Sequence, residues 1–272
     1  MTANACVSEM PRKGRSSYEY IMPLFYFKCD RSPLKVSPQI TIRKISQNEL
    51  IFLENDLPAI LTELEMQTAS YALERLTNSE KLLDETDELF QQVITASRLL
   101  KAGPLYTKVI YIVRPDSSVR AKWSFKGIPP CPEYYILNRR DMKQLRNIMG
   151  SLKRFNASKS RNKSLAIALK FFEKSYEDDW ETALVSCWTA FEALCLGGMK
   201  AGEAAGPTVS IAISLLLGKT RNEREHIRGF LRNAYKARND IVHGNERKSK
   251  DDISMVKGLQ NYLRMSIVKL LD

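Results

Sequence analysis

The segment Arg238-Asn239-Asp240-Ile241-Val242-His243-Gly244 gathers residue types that can work on a phosphodiester. Histidine exchanges a proton near neutral pH, and arginine is a permanent planar cation that grips phosphoryl oxygens as a fork. The chain has only two histidines, and His243 is one of them. On a regular helix each residue turns by about 100°, so Arg238 and His243 point roughly 140° apart. Asn239 and His243 share a face, with Asp240 beside them. Gly244 can turn the chain through the left-handed region, which puts His243 in the last turn, where carbonyl ends favour an imidazolium cation. Such residues also make ordinary helix ends, and spacing alone leaves that reading open. His226, between Glu225 and Ile227, has no matching constellation and reads as a surface residue.

The elements that must hold this segment can be read around it. Thr220-Arg221-Asn222-Glu223 is a capping box, so a helix is expected over 221–243. Apolar spacing places further helices at 161–177, 179–197, 207–218 and 251–271. The helix after Asp179 is the clearest: Trp180, Leu184, Cys187, Trp188 and Phe191 belong to one apolar stripe that Gly197-Gly198 ends. The glycine-rich stretch Gly197–Gly206 joins it to the next helix.

The first half reads differently. Residues 1–20 look like a loose arm, and Met22–Lys28 and Gln39–Lys44 like short strands. Ser46-Gln47-Asn48-Glu49 offers a second capping box. A helical run is expected from Ala59 to Lys101, broken near Thr77–Ser79 and stopped by Gly103-Pro104. Lys108–Val113, Arg120–Phe125 and Glu133–Leu137 are β-branched and aromatic, separated by turn residues, and predict a small antiparallel sheet. Helical patterning resumes over Arg140–Phe155. The expected fold class is mainly α: an N-terminal α+β region over 1–155, where a sensor would sit, and a helical domain over 156–272.

Composition narrows the function. With 44% hydrophobic and 27% charged residues the chain is that of a globular protein, and no apolar run approaches the roughly 20 residues of a bilayer span. No signal-like segment follows the basic N-terminus, so a cytoplasmic protein without a membrane partner is expected. Five scattered cysteines without a C-x-x-C pair, and two histidines, argue against zinc and against a disulfide framework. Cys187 and Cys195 read as core packing. No metal and no cofactor is expected. The net charge is +11; residues 1–150 hold 21 basic against 17 acidic side chains and residues 151–272 hold 21 against 14, so +7 falls in the shorter half that carries the motif. Such a surface favours a polyanion.

Two decoys can be set aside. Gly218-Lys219-Thr220 mimics the end of a phosphate loop, but Ile213 stands where the earlier glycine is required. Phe171-Phe172 and Tyr134-Tyr135 could stack on bases, though paired aromatics more often form core.

Arg238-x4-His243-Gly244 resembles the R-x4-6-H signature of the HEPN superfamily, with the polar Asn239 after the arginine. Trp188-Thr189-Ala190-Phe191-Glu192-Ala193-Leu194 is similar to the aromatic helix of its Apea-like branch, and Tyr235-Lys236-Ala237 to that branch's lead-in to the motif. The order of the segments fits as well, over about residues 156–272. The resemblance implies a HEPN-like helical bundle that dimerises through paired motif helices, and metal-independent endoribonuclease chemistry on RNA. It implies His243 as general acid or base and Arg238 as the cation on the phosphoryl oxygens. Asn239 would orient phosphate or His243, and Asp240 would tune the site. Glu192 would point toward the motif helix, where it either fixes the guanidinium, partly neutralising it, or serves as a structural carboxylate that needs a partner in any case. The products would be a 2′,3′-cyclic phosphate and a 5′-hydroxyl. A bacterial defence or toxin effector restrained by an antitoxin or released by a trigger protein is the expected setting. The alternative is a non-catalytic HEPN module for dimerisation or for RNA or nucleotide binding.

Overall fold

The structure, a computed structural model, describes residues 17–56, 67–103, 105–123, 133–158, 162–176, 179–197, 205–245 and 249–271. The fold is mainly helical, with one six-stranded antiparallel sheet. The described residues divide into two compact units. One lies within Met1–Ser97, Gly103–Lys126 and Pro132–Met149, the other within Arg98–Ala102, Gly127–Cys131 and Gly150–Asp272.

The first unit is built on the strands β1 (Tyr18–Leu24), β3 (Leu34–Lys35), β4 (Thr41–Lys44), β5 (Tyr71–Thr77), β6 (Val109–Val113) and β7 (Val119–Trp123), in the order β3-β4-β5-β1-β6-β7. Helix α1 (Gln47–Asp56) starts at the expected capping box, where Ser46 N–H donates to Glu49 at 2.7 Å. Its Phe52 and Leu53 enter the core with Ile21, Ala72 and Tyr111. Helix α2 (Leu83–Leu100) follows β5.

Three expectations are corrected here. The run from Ala59 to Lys101 is not one helical stretch, because Tyr71–Thr77 is strand β5, paired with β1 from Tyr18↔Thr77 to Leu24↔Tyr71. Glu74, Arg75 and Leu76 are good helix formers, but strand pairs on both sides of β5 outweigh local propensity. Residues 57–66 lie outside the described residues. Glu133–Leu137 does not join the sheet: β8 (Tyr135–Leu137) pairs in parallel with β2 (Phe27–Cys29) as a separate two-stranded ladder. Within the arm, Tyr18–Tyr20 already belongs to β1.

One guanidinium ties the sheet to α1. Arg43 on β4 donates to Glu74 on β5 (2.6 Å), Glu49 on α1 (2.5 Å) and Glu19 on β1 (2.9 Å), and both Glu19 and Glu49 are buried. Burial opposes ionisation of Glu49, but Arg43 and Ser46 outweigh it and hold the carboxyl below its ordinary range.

The second unit is helical. After α3 (Met142–Ala157) come α4 (Lys163–Lys174), α5 (Trp180–Cys195), α6 (Ala205–Leu217), α7 (Arg221–Val242) and α8 (Ser249–Leu271). Helix α5 touches α4, α6, α7 and α8, and its buried set includes Ser186 and Ala190 as well as Leu184, Trp188 and Phe191. It is therefore central, with more than one covered side, where a single stripe was expected. Burial pushes the Cys187 thiol up to about 12 and the Cys195 thiol up to about 11, as in thiols that pack and do not react. Arg98 is buried in this unit, held by Glu173 at 2.5 Å and lying over the Tyr176 ring.

Arg43→Met should destabilise the first unit by about 3 kcal/mol at pH 7, because three clustered carboxylates lose their shared cation. Glu49 has a lowered folded-state pKa, so its contribution is full above the unfolded value near ~4.3 and disappears as pH falls through the folded one. The gap between wild type and variant in urea unfolding should accordingly hold from pH 7 to about pH 5 and narrow as pH falls on toward about pH 3. A gap that is constant with pH would contradict this.

Candidate functional site on helix α7

Helix α7 begins at the expected capping box. Thr220 Oγ1 accepts from Glu223 N–H (3.2 Å), and the Glu223 carboxylate accepts from Lys219 N–H (2.6 Å) and Thr220 N–H (3.2 Å). Those two N–H groups are what a phosphate loop would offer, and here they serve the cap. Of the second decoy, Phe172 and Tyr135 are buried core residues, whereas Phe171 is half-buried and Tyr134 is exposed.

The inner face of α7 carries Ile227, Leu231, Ala234 and Ala237, all buried. Two aromatic rings lodge against glycines of its neighbours. Tyr235 lies over Gly206 of α6, where a Cβ would stand 2.3 Å from the ring, and Phe230 over Gly258 of α8, where it would stand 2.5 Å away. Tyr235 also meets Trp188 of α5 with ring centroids 5.1 Å apart. These contacts fix the rotation of the helix about its axis.

That rotation places the candidate residues. Arg238 is half-buried on the side of Leu231, and its Nε is buried with no hydrogen-bond partner. Its Nη1 reaches round to donate to Asn239 Oδ1 at 3.2 Å. Asn239 and Asp240 are half-buried and His243 is exposed. The helix ends as a Schellman turn: Gly244 has φ +74°, its N–H donates to the Ile241 carbonyl (3.1 Å), and Asn245 N–H donates to the Asp240 carbonyl (2.8 Å). His243 is the capping residue, its own N–H bonded to the Asn239 carbonyl (3.0 Å). Asn239 thus joins Arg238, by its side chain, to the face on which His243 stands. His226 is exposed.

Glu192 has another partner than the one expected. It accepts from Trp188 Nε1 at 2.9 Å, one turn back on its own helix, and no hydrogen bond or ion pair joins it to Arg238. A carboxylate that satisfies a buried indole N–H has a sufficient structural reason to be there. Among the described residues no cluster of three His, Cys, Asp or Glu could hold a metal ion, and no helix is long and apolar enough to cross a membrane.

One feature of α7 escaped the sequence reading. Arg224, Arg228, Arg232 and Lys236 follow one another at steps of four. Its signal in the sequence is plain i, i+4 spacing of cations, independent of the histidine and of the bulk charge.

No family model matches the chain, and neither a curated protein nor a solved structure matches it.

Gly206→Val should force the Tyr235 ring out of its seat and cost about 1–3 kcal/mol in urea unfolding. An unchanged midpoint would show that this contact does not set the position of α7.

Proposed function

We propose that the protein is a metal-independent endoribonuclease of HEPN type, acting as a homodimer in which the last turns of two α7 helices share one site. The observation that carries this reading is the Arg238–Asn239 hydrogen bond, which brings a guanidinium to the face of an exposed histidine at a glycine-terminated helix end. His243 would take the proton from the ribose 2′-hydroxyl or give one to the leaving 5′ oxygen as the 2′ oxygen attacks phosphorus. Arg238 would hold the charge that grows on the phosphoryl oxygens. With its carbonyl oxygen engaged by Arg238, Asn239 keeps an amide N–H₂ that can donate to phosphate.

The dimer answers a geometric need. In one chain Arg238 starts on the inner side of α7 and His243 stands on the outer side, so a second chain is the economical source of the missing partner. Val242, 51% exposed beside them, supplies apolar surface for such a contact. The inward root of Arg238 also favours a second reading, a HEPN-type module that binds RNA without cutting it. A setting in bacterial defence, with a restraining or triggering partner, is part of the proposal.

Cleavage of a labelled RNA in EDTA should fall about 100-fold or more in His243→Ala and in Arg238→Ala. Binding with no turnover by wild type would favour the second reading. Cleavage unchanged in both variants would sink the assignment of these residues.

A further inference from the structure

The cation row on α7 is costly as it stands. Like charges four apart on a helix repel, and Arg224, Arg228, Arg232 and Lys236 make three such pairs in succession. Of the acids beside the row, Glu225 is taken by Arg221 at 2.8 Å, and Asp240 lies one turn beyond Lys236 without a hydrogen bond or ion pair to it. Arg224 has a structural task, since its Nε donates to the Gly218 carbonyl at 3.0 Å and closes the end of α6. The other three have none. Arg232 and Lys236 are exposed, Arg228 is half-buried with a buried Nε that lacks a partner, and none of the three makes a hydrogen bond or ion pair among the described residues.

A second observation points outward from the same surface. Gly229 is exposed in the middle of α7, and a Cβ built on it would meet nothing within 4 Å. A helix-interior glycine costs roughly 1 kcal/mol relative to alanine, and here no neighbouring element needs the space. It adjoins the row, leaving the helix backbone bare where a ligand would pass.

Direction completes the picture. With about 100° per residue, Arg228, Arg232 and Lys236 fall within roughly 80° of one another, and Asn239 and His243 lie inside the same sector. Successive cations rise about 6 Å along the axis, and His243 lies about 10 Å beyond Lys236. The arrangement is a single file of charge that runs to the exposed imidazole.

We propose that Arg228, Arg232 and Lys236 form a ridge that binds the phosphate backbone of a single-stranded RNA and leads it along the bare surface at Gly229 to His243. One file of cations matches one backbone; a duplex presents two. The ridge names positioning residues for the substrate of the ribonuclease reading and rests on that reading for its direction. It ends before the last turn, so pairing of two chains through their last turns leaves it open.

The test measures binding of a fluorescein-labelled oligouridylate to the full-length chain by anisotropy, over a range of salt, in a His243→Ala background that prevents cleavage. Replacing Arg228, Arg232 and Lys236 by Gln should reduce the slope of log affinity against log salt by about 2, since each single-strand phosphate contact contributes about 0.7. A charge-matched control, Lys163→Gln, Lys170→Gln and Lys174→Gln on the exposed side of α4, should leave the slope near its original value. Gly229→Gln should stabilise the helix in thermal unfolding yet weaken binding several-fold. Equal loss in both triple variants, no change in the ridge variant, or tighter binding of a duplex to the ridge would overturn the proposal. Wild-type cleavage is scored separately. Ridge-dependent binding without any cleavage removes the ribonuclease reading and keeps the ridge, whereas His243-dependent cleavage with a ridge-independent slope does the reverse.

Discussion

The rotational setting of α7 is the constraint on which the functional surface depends. Ile227, Leu231, Ala234 and Ala237 turn one face to the bundle, and Tyr235 on Gly206 and Phe230 on Gly258 allow little rolling. With that face fixed, helical geometry leaves no freedom for the others. Arg238 must start inward, and Arg232, Lys236 and His243 must face out. The small residues matter as much as the large ones, because alanines and glycines let the aromatic rings sit between close-packed helices.

This setting explains why the arginine and the histidine carry different burdens. Half-buried Arg238 has a buried Nε without a partner and one hydrogen bond to Asn239, an arrangement that costs stability unless the guanidinium meets an anion or a second chain. Exposed His243 is held through its backbone, by the Schellman turn at Gly244, and its ring faces outward. A cation anchored on one side and a proton carrier presented on the other suit a site completed from outside.

How much of this was legible in the sequence varies with the kind of signal. The helices of the second unit lie close to where apolar spacing put them, because capping residues such as Thr220 and Asp179 act locally. The left-handed Gly244 was readable for the same reason. Strand β5 was not, since Glu74 and Arg75 favour helix and only pairing with β1 and β4, distant in sequence, makes them a strand. For Glu192 the sequence left a structural and a guanidinium-fixing role open, and the local hydrogen bond from Trp188, four residues back, was not legible among them. The divergence of Arg238 and His243 followed from helix geometry alone. The Asn239 bond that partly bridges them did not, because a long arginine side chain can reach in many directions.

The central claim, that Arg238 of one chain and His243 of another complete one site, can be tested by complementation. Arg238→Ala and His243→Ala chains, each inactive alone, are unfolded together, refolded as a mixture and assayed for RNA cleavage in EDTA. A shared site predicts that the mixture recovers activity absent from either component, since mixed dimers contain one intact pairing. A mixture as inactive as its components, despite mixed dimers detected by mass, would contradict the account.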